Sequence, residues 1–81
     1  MSTDDGLVLY LRQGCHLCEQ FLVEFSLDFP ARFASLQTAD VDADPGLALD
    51  YGLRVPVLAA GDRVVCEGIY DRGKVEAALG L

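Results

Sequence analysis

Two kinds of segment follow one another along the chain: short apolar runs, and longer stretches in which apolar residues recur with helical spacing. Residues 7–12, "LVLYLR", form a near-continuous apolar run that predicts a strand covered on both faces. Residues 15–29 predict a helix that ends at Pro30, because the residue before a proline avoids the helical region. The apolar positions on one face of this predicted helix are Cys18, Phe21, Leu22, Phe25 and Phe29.

The middle of the chain contains shorter elements that are bounded by turn-forming residues. Residues 35–41 predict a second strand. Asp44 followed by Pro45 is typical of a helix start, with a side-chain cap and a proline at the first helical position. Gly52 predicts the end of this second helix.

The C-terminal third predicts a β-hairpin and a last helix. Residues 55–60 and 63–68 are two strand-forming runs, and the Gly61-Asp62 pair between them favours a tight turn. Asp71 is the predicted cap of a helix that runs to about Leu79.

These elements define an α/β fold with the order β-α-β-α-β-β-α. The early β-α-β unit implies parallel pairing through a right-handed crossover, and the hairpin adds an antiparallel edge. Helices cover both faces of the resulting four-stranded mixed sheet. A chain of 81 residues fits one domain, so residues 1–81 are predicted to form a single unit.

Composition and charge exclude several classes of function. The apolar content of 52% supports a packed core. A net charge of -7, with only six scattered Lys and Arg residues, leaves no basic stripe for nucleic acid or anionic membranes. Residues 1–5 lack the basic start and apolar stretch of a signal peptide. We therefore expect a cytoplasmic monomer without a membrane span.

The three cysteines are the strongest chemical signal in the sequence. Their odd number argues against a disulfide-stapled secreted scaffold. In a reducing cytosol, a close cysteine pair is more often catalytic or metal-binding than structural. The close pair is Cys15 and Cys18, and the third cysteine is Cys66.

The position of Cys15 between a predicted strand and a predicted helix favours redox chemistry. A thiol there faces unpaired backbone N–H groups and the positive end of the helix dipole, which lower its pKa. Cys18 lies one helical turn further along, on the core face. The hypothesis is that Cys15 attacks a disulfide and that Cys18 resolves the mixed disulfide.

His16 and Leu17, the residues between the two cysteines, are candidate substrate-binding residues. His16 is also a candidate for stabilising the Cys15 thiolate or for easing proton transfer near neutral pH. The alternative is an exposed first-turn residue, because sequential neighbours on a helix do not share a face.

The motifs together resemble the thioredoxin fold over residues 7–79. They comprise a strand, C-x-x-C at a helix start, "YGLRVPVL", a "GDRVV" hairpin and a glycine before the final helix. "YGLRVPVL" is similar to the segment before the cis-proline of thioredoxins and glutaredoxins. The spacing from Cys18 to Pro56 is short, as in glutaredoxins, and "CHLCE" resembles a family of small bacterial glutaredoxin-like proteins.

This resemblance implies a thiol-disulfide oxidoreductase that acts on protein or low-molecular-weight disulfides. It implies that Cys15 is the nucleophile and Cys18 the resolving thiol. Pro56 would be in cis beside the active-site disulfide, Val55 would offer its backbone to an extended substrate, and Gly68 loosely matches a glutathione-holding glycine. No bound cofactor is implied, and the electron donor is a reductase or glutathione.

The chain also departs from its relatives around the motif. Gly14 stands where thioredoxins usually have Trp, and residues 9–11 lack the acidic residue that thioredoxins place under the active site. Arg12 is a candidate substitute for the Lys of glutaredoxins. Glu67 replaces a glycine, and together with Glu19 it is expected to repel anionic glutathione.

Two other classes of function stay open on the sequence. One is a zinc or iron-sulfur site, for which four possible ligands exist: Cys15, His16, Cys18 and Cys66. Tetrahedral zinc usually draws on two chelating pairs, however, and Cys66 fits a small buried hydrophobe, so no metal ligand is assigned. The other is a non-catalytic interaction module that kept the fold, because fold alone does not determine function.

Overall fold

The computed structural model describes residues 6–81; the N-terminal residues 1–5, considered above for a signal peptide, lie outside this part. Within it the predicted element order is confirmed, with an additional short helix. The longest helix has 13 residues, and no helix in this range is long and apolar enough to cross a bilayer. The elements are β1 Leu7–Leu11, α1 His16–Asp28, α2 Pro30–Ala34, β2 Gln37–Asp40, α3 Pro45–Tyr51, β3 Val57–Ala60, β4 Arg63–Glu67 and α4 Arg72–Leu79.

The four strands form one mixed sheet with the order β2-β1-β3-β4. β1 pairs in parallel with β2, as the predicted β-α-β unit requires. β3 pairs antiparallel with both β1 and β4. The α/β class, the mixed sheet and the hairpin edge are therefore as expected from the sequence.

One face of the sheet carries the main hydrophobic core. The side chains of Leu9 and Leu58 lie opposite each other on neighbouring strands and are fully buried. α1 covers them with the apolar face predicted from its spacing, and α4 adds one side chain. The buried members of this core are Leu7, Leu9, Phe21, Phe25, Phe29, Leu58, Cys66 and Val75.

The opposite face of the sheet is covered by α3. Tyr10 of β1 stacks on Tyr51 at the end of α3, with ring centroids 4.2 Å apart. Tyr10 also pairs with the fully buried Val57, which alternates to the face away from Leu58. Helices therefore lie on both faces of the sheet, as predicted.

The strand ends differ by one or two residues from the sequence-based expectation; β2, for example, covers Gln37–Asp40 and not residues 35–41. Two further differences involve a proline. Pro30 ends α1 as predicted, but it also begins α2, where its fixed φ suits the first helical position. The third strand begins at Val57 and not at Val55. Pro56 has no N–H to donate to the ladder, so the pairing with β1 starts only after it.

The predicted helix caps form hydrogen bonds. Asp44 and Asp71 each accept a first-turn backbone N–H, at 2.8 and 3.1 Å. Gly52 follows α3 as expected, but with a φ of -55° it is not in the left-handed region. A Cβ at this position would collide with the Ala48 carbonyl oxygen and lie 3.2 Å from Nη2 of Arg12. The close approach of neighbouring atoms, and not a left-handed φ, explains why a glycine is found at position 52.

Candidate functional site

The strand register brings three loop segments to one end of the sheet. β1 continues at this end into the cysteine pair. Tyr10 pairs with Val57, and Val57 pairs in turn with Glu67, so the segments before β3 and after β4 lie at the same level. The backbone N–H of Gly68 donates to the carbonyl oxygen of Pro56 at 2.8 Å. The topology therefore places the cysteine, proline and glycine motifs together.

Cys15 is the N-cap of α1 and forms a disulfide with Cys18. The backbone N–H of Cys18 donates to Sγ of Cys15 at 3.2 Å. The preceding Gly14 has a φ of +73°, a conformation that favours glycine at the turn into the helix. Cys15 is partly exposed, whereas Cys18 is 2% exposed. The two cysteine residues therefore differ in exposure, and their roles as attacker and resolver stay predictions.

His16 is directed along the outer surface of α1. Its Nδ1 lies 3.9 Å from a carboxylate oxygen of Glu19, and its Nε2 lies 3.3 Å from the side-chain nitrogen of Gln20. The side chain of His16 is 80% exposed. These contacts favour the interpretation of His16 as an exposed first-turn residue over a role at the Cys15 sulfur.

Val55 and Pro56 lie immediately before β3. The peptide bond between them is cis, and Pro56 is fully buried. The β1–β3 ladder ends at Tyr10 and Val57. The half-buried Val55 thus has its backbone beyond the ladder, at the end of the sheet that carries the cysteine pair.

Arg12 connects the cysteine loop to the rest of the domain. Its Nε and Nη2 donate to the two carboxylate oxygens of Asp42 at 2.9 and 3.1 Å, and its Nη1 donates to the carbonyl oxygen of Gly52 at 2.9 Å. Its own carbonyl oxygen accepts the N–H of Cys15 at 3.4 Å. The hydrogen bond from Arg12 lowers the pKa of Asp42. The guanidinium of Arg12, the candidate substitute for the Lys of glutaredoxins, thus has all three of its nitrogens hydrogen-bonded within the domain.

A second arginine is occupied at the same end of the molecule. Nε and Nη2 of Arg54 donate to the carboxylate of Glu67 at 2.8 and 3.0 Å. The guanidinium also lies 5.6 Å from the ring centroid of Tyr51. The hydrogen bond from Arg54 lowers the pKa of Glu67. The repulsion expected from Glu67 is therefore offset by a paired cation, which in turn is not free to bind an anionic ligand.

A groove of about 250 Å³ runs beside the cysteine pair, between α1 and the segment after β4. Sequence reasoning identified Leu17 and Gly68 but missed the other residues of this groove. The residues that α1 contributes could have been predicted from the sequence, because positions 17, 20, 21 and 24 follow the i, i+3, i+4, i+7 spacing of one helix face. The lining residues are Leu17, Gln20, Phe21, Glu24, Gly68, Ile69 and Tyr70.

Tyr70 fixes one wall of this groove. Its hydroxyl donates to a carboxylate oxygen of Asp28 at 2.8 Å. Its ring meets Phe21 edge-on, with centroids 5.3 Å apart. Burial, followed by the hydrogen bond to Asp28, raises the pKa of Tyr70. The ring is thereby held between the core and the end of α1.

Cys66 lies in the core and not at the cysteine pair. Its side chain is 4% exposed, as the sequence pattern predicted, and burial raises the pKa of its thiol. No group of three or more His, Cys, Asp or Glu side chains within residues 6–81 is placed to hold a metal ion. The four-ligand set considered from the sequence is therefore not assembled in this part of the chain.

The mixed sheet, with its cysteine pair at the tip of the helix after the central strand β1, defines a thioredoxin-fold protein with a redox-type C-x-x-C site. The chain belongs to the glutaredoxin-like family. The family model described as "Glutaredoxin-like domain (DUF836)" matches residues 6–80.

Two solved structures are similar to this chain. The solution NMR structure of protein Ne2328 from Nitrosomonas europaea is 33% identical, with a TM-score of 0.75, over 88% of this chain and 86% of that one. The X-ray structure of target protein XcR50 from X. campestris is 36% identical, with a TM-score of 0.69, over 91% of this chain and 95% of that one. No curated protein matches the chain.

Proposed function

We propose that this protein is a thiol-disulfide oxidoreductase of the glutaredoxin-like type. The observation that carries the proposal is the hydrogen bond from the Cys18 N–H to Sγ of Cys15 at the N-terminus of α1. In the reduced protein the same N–H and the helix dipole stabilise a Cys15 thiolate, which is the nucleophilic form. The family match supports a redox role of this kind.

The proposed reaction has two exchange steps. The Cys15 thiolate attacks one sulfur of a substrate disulfide, forms a mixed disulfide and releases one substrate thiolate. The Cys18 thiolate then attacks Sγ of Cys15, forms the Cys15–Cys18 disulfide and releases the second substrate thiolate. Two electrons pass from the dithiol to the substrate, and two protons complete the substrate thiols.

Regeneration of the dithiol requires an external thiol reductant. We propose either a reductase with its own dithiol or two molecules of glutathione, which become oxidised as the Cys15–Cys18 disulfide is reduced. No resident cofactor takes part in these steps. A reducing compartment such as the cytoplasm suits this chemistry, because it keeps such a reductant available.

The proposal predicts a trapped intermediate when the resolving thiol is removed. Cys18→Ser, treated with bis(2-hydroxyethyl) disulfide, should accumulate one hydroxyethyl-thiol adduct on Cys15, seen by intact mass and peptide mapping. The double variant Cys15→Ser/Cys18→Ser is the control and should acquire no adduct. An adduct-free Cys18→Ser protein would contradict the proposal and would favour the non-catalytic interaction module.

A further inference from the structure

The groove beside the cysteine pair continues into a second depression on α1. This second depression has a volume of about 500 Å³. The two share Gln20 and Glu24, so they form one surface along the helix. We call this surface the α1 groove and define it by its two parts. The apolar part contains Leu17, Phe21, Gly68, Ile69 and Tyr70, the acidic part contains His16, Glu19 and Val23, and the shared Gln20 and Glu24 are counted with the acidic part.

The apolar part offers contact area next to the reactive sulfur. Leu17, which lies between the two cysteines, is 47% exposed, and Ile69 on the facing segment is 76% exposed. A substrate side chain that covers both removes apolar surface from water, which favours binding. Because Leu17 lies only two residues after the attacking Cys15, a substrate residue bound here is close in sequence to the substrate's half-cystine.

The charges of the groove select against an anionic ligand. Glu19 and Glu24 line the acidic part, and both are exposed. The guanidinium groups of Arg12 and Arg54, at the same end of the sheet, are already paired with carboxylates. Glutathione carries net negative charge, so it meets acidic side chains here, while both arginines are engaged elsewhere.

We propose that the α1 groove binds a polypeptide whose half-cystine is flanked by a large apolar residue and a basic residue. The apolar side chain packs on Leu17 and Ile69, and the basic side chain lies near Glu19 and Glu24. This inference rests on the proposed function, because it names the substrate class of the same Cys15 reaction. The electrons pass as described above, from the Cys15–Cys18 dithiol to the disulfide of the bound polypeptide.

The test measures the rate at which disulfides oxidise the reduced protein. The probes are disulfide-linked dimers of three blocked tripeptides, which have the sequences lysine-leucine-cysteine, glutamate-leucine-cysteine and lysine-serine-cysteine. Oxidised glutathione and the neutral bis(2-hydroxyethyl) disulfide complete the set. Each rate is divided by the rate of the same probe with dithiothreitol, which removes differences in the intrinsic reactivity of the disulfides.

We expect the lysine-leucine peptide to react about tenfold faster than the glutamate-leucine peptide and about fivefold faster than the lysine-serine peptide. The preference for lysine should shrink when salt rises from about 0.01 M to about 1 M, because the Debye length falls from about 30 Å to about 3 Å. The preference for leucine should persist at high salt.

Paired variants assign each preference to one part of the groove. Ile69→Ser should reduce the preference for leucine, whereas Leu27→Ser removes an equally exposed side chain on the last turn of α1 and should not; both are 76% exposed. Glu24→Gln should reduce the preference for lysine. Asp62→Asn, which removes the same charge from the hairpin turn between β3 and β4, should leave it unchanged.

Equal normalised rates for the three peptides, or a faster normalised rate with oxidised glutathione, would overturn the inference. In either case rapid oxidation by bis(2-hydroxyethyl) disulfide would leave the proposed function intact. A reduced protein that bis(2-hydroxyethyl) disulfide does not oxidise would instead contradict the proposed function itself.

Discussion

The cysteines of this domain lie in two contrasting regions. At the tip of α1, Cys15 is partly exposed and its sulfur accepts a backbone N–H. Toward the end of β4, Cys66 is 4% exposed and belongs to the hydrophobic core. The side chains are identical, so the backbone position and the burial alone separate a proposed nucleophile from a packing residue.

Under the proposed function, the two positions favour opposite protonation states of the same thiol group. A helix N-terminus places partial positive charge against the sulfur and favours the thiolate. A buried strand removes water from the sulfur and favours the neutral thiol. The pKa of Cys66 is raised, with burial as the largest cause.

The largest expected effect is that of a serine substitution at Cys15, which should change the activity but not the stability. Cys15→Ser should lower the rate of disulfide reduction at least about a thousandfold, because the nucleophile is lost. The free energy of unfolding of the reduced protein should change little, since serine is a good helix N-cap. Reduction of bis(2-hydroxyethyl) disulfide and urea unfolding test both statements. A Cys15→Ser protein with the parent rate would remove the proposed role of this cysteine.

The second prediction compares the reactivity of the two thiols in one molecule. In the reduced, folded protein we expect iodoacetamide to modify Cys15 at least about a hundredfold faster than Cys66 near neutral pH. Mass spectrometry of peptides from timed samples gives both rates. Modification of Cys66 should require unfolding, so urea should equalise the two. Similar rates in the native protein would show that burial does not protect Cys66.

The third prediction is the converse substitution in the core. Cys66→Ser should leave disulfide reduction near the parent rate but lower the free energy of unfolding by about 1–3 kcal/mol, because it buries a hydroxyl group. Cys66→Ala, which buries no polar group, is the matched control and should cost less. The two variants are compared by urea unfolding of the reduced proteins. A loss of activity in Cys66→Ala would contradict the assignment of Cys66 to packing.

The smallest effect concerns the ion pair between Arg12 and Asp42 that connects the cysteine loop to the domain. The pKa of Asp42 lies below its ordinary value of 3.8, chiefly because Arg12 donates hydrogen bonds to it. Its folded pKa is depressed, so this contribution to stability is fully present above that ordinary value and is lost as the pH falls through the folded pKa. The magnitude is small because both groups are solvent-exposed.

Asp42→Asn should therefore lower the thermal midpoint slightly near neutral pH and leave it nearly equal to the parent in strong acid. Thermal unfolding across the acidic range measures the difference. Asp62→Asn, which removes an equal charge from the β3–β4 turn, is the control and should not converge on the parent in this way. A constant offset between Asp42→Asn and the parent at all pH values would contradict the role of the ion pair.

Much of the fold follows from local patterns in the sequence. The spacing of Phe21 and Phe25 predicts the buried face of α1, and both side chains are fully buried. Asp44 and Asp71 predict helix starts. This prediction is possible from the sequence because a helix cap is a hydrogen bond between near neighbours in the chain. The C-x-x-C spacing likewise places one cysteine at the helix tip and the next on the core face.

Contacts between distant segments were not predictable in the same way. Arg12 reaches Asp42 and Gly52, which are 30 and 40 residues away. Arg54 meets Glu67 only because the hairpin folds β4 back along β3. A sequence pattern gives the sign of a charged side chain but not its partner, so the ion pairs Arg12–Asp42 and Arg54–Glu67 were not predicted.

The sequence by itself determined every main element except the short helix α2, the chemical type of the site and the face on which each cysteine of the pair lies, because these depend on interactions within a few residues of each other. Only the tertiary structure decided which arginine side chains are paired with carboxylates and which apolar side chains line the α1 groove. Ile69 and Leu17 are 52 positions apart. The sheet register brings their segments together, and that register follows from packing of the whole domain.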